Sequence, residues 1–251
     1  MEPMREGGAV RAVAAAVGGA LLVLGATGCG GPEKPEKPEK RGTSSARAED
    51  DRKAPEAGLK RVPGVGDRLW KRVPEESRQV LVVSGEGRDS ADSHAALYTK
   101  RGSTWTRERA WATHNGRKGW TTDHHEDDLR SPVGVFTLSD AGGVLAQPGA
   151  RLPYTESAAF QAPHYWKNSY WHDFDLVIAI DYNRVKGTPP NDQTRPRGRS
   201  RGGNIWLHMD HGSGTSACVS QSKADMEYLL RTLDPKQHPV VVMGDQADLK
   251  V

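Results

Sequence analysis

The sequence predicts an α+β fold, rich in strands and poor in helices. Three observations support this: short apolar runs recur between turn signals, one segment carries a helical stripe, and strands and helices do not alternate as in βαβ units. Gln79-Val80-Leu81-Val82-Val83 runs into Ser84-Gly85-Glu86-Gly87, a strand closed by a turn. Residues 95–100 and 104–113 flank Arg101-Gly102-Ser103 and predict a hairpin. Further strands are expected at 133–138, 176–182, 205–208 and 240–243. The helix follows Ser222. That residue is an N-cap with Asp225 three positions on, and Met226, Leu229, Leu230 and Leu233 make an i, i+3, i+4, i+7 stripe before Asp234-Pro235 ends it.

The chain has 251 residues, 28 Gly, 16 Pro and only 35% apolar residues, the balance of a loop-rich domain rather than a helical bundle. A net charge of +3 without a basic stripe argues against a nucleic-acid partner. Arg5 and Arg11 precede an apolar run over 12–24 that ends in Gly25-Ala26-Thr27-Gly28-Cys29. Residues 1–28 therefore predict a signal peptide, too short to span a membrane. A Cys directly after small residues predicts diacylation of Cys29, hence an exported lipoprotein on the cell membrane, facing the wall. Pro-Glu-Lys follows three times over, then mixed charge without apolar periodicity, so 29–62 reads as a tether and 63–251 as the folded domain.

With Cys29 assigned to the lipid, Cys218 is the remaining thiol and a candidate nucleophile. It follows the small-residue approach Gly212-Ser213-Gly214-Thr215-Ser216-Ala217. Amides around Ser216 and Ala217 are candidate oxyanion donors, and the helix start near Ser222 is expected to help stabilise a thiolate. His208 is the candidate base. His211 competes for that role, and His211 or Asp210 otherwise orients the site or is solvated. The run Asp123-His124-His125-Glu126-Asp127-Asp128 has a metal-binding composition, but contiguous residues cannot all face one ion, and a solvated loop is expected. Residues 184–201, rich in Arg, Pro and Gly, read either as an exposed mobile loop or as a cover that attracts carboxylates. Trp166, Tyr170, Trp171 and His172 either pack in the core or line a cleft.

Asn204-Ile205-Trp206-Leu207-His208, followed by Thr215-Ser216-Ala217-Cys218-Val219-Ser220, resembles the active-site segment of the L,D-transpeptidase catalytic (YkuD-like) domain. Gly119-Trp120, Asp127, the segment 131–136 and Asp181-Tyr182-Asn183 resemble upstream segments of that family. The resemblance covers roughly 78–245 and implies mixed, sandwich- or barrel-like sheets. It also implies a reaction: Cys218 attacks the peptide bond before the terminal D-residue of a peptidoglycan stem peptide, with His208 as base and Ser220 beside the substrate. The acyl group then passes to an amine of an acceptor stem, with no metal or cofactor, and carbapenems would acylate the same sulfur. The alternatives are an L,D-carboxypeptidase using the same cysteine and a catalytically weakened wall-binding lipoprotein. The family's commoner motif has His-Gly before the Cys. A shorter variant, Thr-x-Gly-Cys-Val-Ser, differs here at Ala217, which would matter if that position required positive φ. Oligomeric state is not legible in the sequence.

Overall fold

The computed structural model describes residues 56–251. The expectations for the signal peptide and Cys29 lie outside them. Thirteen strands and three α-helices are present among these residues, so the fold is β-rich α+β. Most strands, among them β7 (Gly134–Thr137), β8 (Ala141–Gly143) and β9 (Tyr154–Glu156), join one curled, mixed sheet in the order β7-β13-β2-β3-β4-β12-β11-β10-β8-β9, with β1 on β4. The strands that position the site are β2 (Gln79–Gly85), β3 (Asp92–Arg101), β4 (Thr104–His114), β10 (Val177–Ala179), β11 (Trp206–Met209), β12 (Val219–Gln221) and β13 (Val240–Asp245). A second, two-stranded sheet pairs β5 (Trp120–Thr121) with β6 (Ser131–Pro132).

Strand β1 (Glu56–Leu59) pairs with β4, and Val62 is buried. Residues 56–62, within the segment read as tether, thus contribute a strand and a core side chain. The Glu-Ala-Gly-Leu sequence is too short and too mixed to announce a strand without the partner it pairs with.

Strands β2 and β13 are buried on both faces, which explains their unbroken apolar runs. Leu81, Val83, Val241 and Met243 enter the main core. Val80, Val82, Val240 and Val242 enter a second cluster on the opposite face, with Leu69 of helix α1 (Asp67–Trp70) and Leu249 of α3 (Gln246–Lys250). Between β3 and β4 the hairpin turns in two residues, Arg101 pairing with Thr104. Gly102, at φ +60°, supplies the left-handed first central position that such a turn requires.

Helix α2 (Lys223–Thr232) matches the sequence reading: Ser222 Oγ accepts from the Asp225 amide at 3.1 Å, and Met226, Leu229 and Leu230 are buried.

One irregularity sets which tryptophan faces which core. Leu97 pairs with Arg109 but Tyr98 with Arg107, so Glu108 is an extra residue, a β-bulge. Trp105 and Trp111 would share a face in a regular strand. The bulge sends Trp111 to the main core and Trp105 to the second cluster. Deleting Glu108 is expected to expel one of the two indoles and cost about 3 kcal/mol or more. Glu108→Ala removes only an exposed ion pair with Arg101 and should cost under about 1 kcal/mol. Denaturant unfolding of the two variants measures the difference.

Candidate functional site

The site grows from strand β11. It lies between β10 and β12, antiparallel to the first and parallel to the second, with His208 opposite both Val177 and Ser220. Burial on every side removes His208 from water, its residue being 0% exposed. Its Nδ1–H donates to the Met209 carbonyl at 2.7 Å. A carbonyl only accepts, so this bond fixes the neutral tautomer with a lone pair on Nε2. Nε2 is buried and has no hydrogen-bond partner. Burial pushes the His208 pKa below the ordinary histidine value; the Asp173 carboxylate and the Met209 bond oppose that shift, and His211 adds to it.

Cys218 immediately precedes β12. The Trp206 amide donates to its sulfur at 3.1 Å, and the Asn204 carbonyl lies 3.4 Å away. Asn204 takes φ +51°, a left-handed conformation that Asn tolerates better than most residues. His208 Nε2 and the Cys218 sulfur are thus carried by adjacent paired strands but are not hydrogen-bonded to each other.

The loop before Cys218 is held from outside. Thr215 forms a parallel bridge with Gly116: its amide donates to the Asn115 carbonyl at 2.9 Å, and its carbonyl accepts from the Arg117 amide at 2.8 Å. Thr215 Oγ1 donates to the Cys218 carbonyl at 2.7 Å, and Ser131 Oγ to the Ala217 carbonyl at 2.6 Å. Ser216 is half-buried and Ala217 buried. Ala217 is not among the residues at positive φ, so its methyl imposes no backbone strain.

Several expectations need correction. Ser220 is fully buried and donates to Asp210 Oδ1 at 2.7 Å, so its hydroxyl is committed to the protein rather than to a substrate. Asp210 is neither solvated nor aimed at a candidate base. It accepts from His114 Nδ1 at 2.9 Å and from the Gly212 amide at 3.0 Å. Burial raises its pKa, but the hydrogen bonds and charge of His114, with Ser220 and Gly212, outweigh this and bring it to about 2. The start of α2 does not reach the sulfur. Strand β12 intervenes, placing Ser222 on the order of 10 Å along the chain, beyond the range of a helix terminus.

His211 is not solvated either. Its Nδ1 donates to Asp173 Oδ2 at 2.9 Å, both side chains being 1% exposed, and Tyr170 packs on its ring at 4.3 Å. Its Nε2 is buried and has no hydrogen-bond partner, and the ring lies parallel to that of His208 at 6.5 Å. Asp173 escaped the sequence reading because it lies far from His211 along the chain, within an aromatic stretch that could not be placed. Trp166 and Tyr170 of that stretch are core residues, and His172 pairs at the surface with Asp175.

In the acidic run, His124 is buried, 3.0 Å from Asp128 and edge-on to Tyr182. It is packed, not solvated. The 184–201 loop is likewise anchored. Arg184 is buried against Asp140 (2.9 Å) and Asp181 (2.5 Å), Asn183 Nδ2 donates to the carbonyls of Gly198 and Gly202, and Trp206 Nε1 donates to that of Pro190.

No family model matches this chain, and no curated protein matches it. The solved structure of Bdellovibrio bacteriovorus Bd1075 superposes at a TM-score of 0.38 with 17% identity, over 66% of this chain and 47% of that chain. The match spans about half that protein's length, and a superposition this loose carries no argument about function.

Asp210 provides a pH test. Its folded pKa, about 2, lies below the ordinary 3.8, so the unfolded chain binds the extra proton between those values. Stability from this group is present above pH 4 and lost as pH falls towards 2, by about 2 kcal/mol. Asp210→Asn should cost a similar amount at pH 7 and flatten that part of the profile, as measured by denaturant unfolding between pH 2 and 7.

Proposed function

We propose that this chain is a cysteine acyltransferase with a YkuD-like L,D-transpeptidase domain. It would act on peptidoglycan stem peptides from an exported, lipid-anchored position. The observation that carries the reading is the His208 imidazole, buried and neutral, with Nδ1–H committed to the Met209 carbonyl and its Nε2 lone pair unclaimed. Its strand is paired in parallel with the one that Cys218 leads into. A two-residue step, roughly 6.6 Å along the strand, separates Cys218 from the register partner of His208, a gap two side chains can close.

His208 Nε2 takes the thiol proton as sulfur attacks the carbonyl before the terminal D-residue. The intermediate collapses, the C–N bond breaks, and the same proton goes to the departing amine. The thioester then meets the acceptor amine, whose proton passes to Nε2, and the thiolate leaves. Water in place of the amine gives carboxypeptidase products. The Asp173–His211 pair serves as a positioning group: its carboxylate favours the imidazolium that forms on His208 during each step.

Incubation of the reduced domain with tetrapeptide muropeptides, followed by mass analysis, tests this. Cross-linked dimers mark transfer, tripeptide monomers mark hydrolysis, and no product favours the wall-binding alternative. Cys218→Ser should abolish turnover, and His208→Ala should slow acylation by about 100- to 10,000-fold, the usual range for a general base. A carbapenem should add its mass once, at Cys218. Ala217→Gly should leave that labelling rate unchanged, because residue 217 needs no positive φ.

A further inference from the structure

Beside Cys218 lies a closed-in cavity of about 150 Å³ that the proposed chemistry does not use. Its walls are aromatic: Phe160, Trp166, Phe174 and Trp206. They brace one another edge to face, Phe174 against Trp206 at 5.3 Å and Phe160 against Trp206 at 5.9 Å. Gln161, Asn191 and Gln193 add carboxamides, two of them from the loop that is anchored to Trp206 Nε1 through the Pro190 carbonyl. No charged side chain lines it among the described residues. Arg195, on the same loop, directs Nη1 to the carbonyls of Asp192 and Thr194 and Nη2 to Gln193 Oε1 at 3.4 Å. Two lining residues, Asn204 and Trp206, are also those whose backbone touches the Cys218 sulfur.

From this juxtaposition we infer that the cavity is the specificity pocket for the terminal residue of the acyl donor, and that it accepts an uncharged side chain. The inference rests on the acyl-transfer reading of Cys218 and adds to it the chemical class of the group released. At about 30 Å³ per water-sized group, the cavity holds roughly five non-hydrogen atoms, the size of a Gln or Met side chain. Aromatic faces and carboxamides suit a methyl-bearing or amide-bearing group. A carboxylate or ammonium would lose its water there, and no lining side chain carries the opposite charge.

Binding to Cys218→Ser protein separates this pocket from turnover. Tetrapeptides differing only in the terminal D-residue (Ala, Gln, Met, Glu or Lys) are titrated by NMR or calorimetry. Gln and Met termini should bind at least as well as Ala, and Glu and Lys at least tenfold more weakly. In the Cys218→Ser/Asn191→Asp protein, which adds a carboxylate to the cavity lining, the Lys peptide should gain at least tenfold relative to the Gln peptide. Equal affinity for all termini, or an unchanged order in that variant, overturns the pocket. If muropeptides yield no product yet this ranking holds, the pocket stands and the reaction falls. If transfer proceeds without regard to the terminal charge, the reverse follows.

Discussion

The parallel pairing of β11 with β12 is the constraint on which the rest of this domain depends. Parallel neighbours normally need a crossover of a dozen or more residues, usually with a helix, to bring the chain back to the same end. Here residues 210–218 do it alone. So short a return leaves little slack, and the loop is held along its length: by Asp210 on the Gly212 amide, by the Thr215 bridge to Gly116, and by Ser131 on the Ala217 carbonyl. Its last residue, Cys218, is delivered to the backbone of Trp206 at the start of β11. Small residues fill this loop because it is packed. A side chain at Gly214 would collide with the backbone of Arg117.

The same pairing buries an unusual concentration of polar groups, and each set finds a different solution. Ser220, Asp210 and His114 form a connected chain of hydrogen bonds and ion pairing around a carboxylate. Asp173 and His211 form a buried hydrogen-bonded pair under Tyr170. His208 has only a carbonyl, so burial wins and the ring is held neutral. A buried carboxylate that loses its partner is left as an unpaired charge, whereas a neutral imidazole loses only a hydrogen bond. His208 is therefore the member of the group that can exchange a proton at the smaller electrostatic cost to the fold.

Away from the site, the sheet works as a two-faced wall. Its main face carries the core that surrounds β11, and the other is closed by β1, α1, α3 and the segment around Val62 and Val65. The Glu108 bulge lets one strand, β4, serve both faces with large indoles while its far end reaches Ser220 of β12 through His114. Rigidity at the site is thus tied to a defect in pairing several residues away.

Local rules in the sequence determined a good deal of this protein. The runs that form β2 and β13, the Gly102 hairpin and the Ser222-capped helix were legible because each is specified by neighbours within a few residues. The candidate residues Cys218 and His208 were legible for the same reason, since both lie in short segments of recognisable pattern. Tertiary structure alone decided the remainder. The short strands β1, β8, β9 and β12 are defined by partners distant in sequence rather than by their own three- to four-residue patterns. The pairing of Asp173 with His211, the capture of Ser220 by Asp210, the burial of His124 and the anchoring of Arg184 between Asp140 and Asp181 join residues from separate segments. A side chain's composition announces that it can ionise or donate. Whether it meets water, a carboxylate or an aromatic ring is fixed only when the sheet brings those segments together, because desolvation and pairing depend on what fills the few ångströms around it.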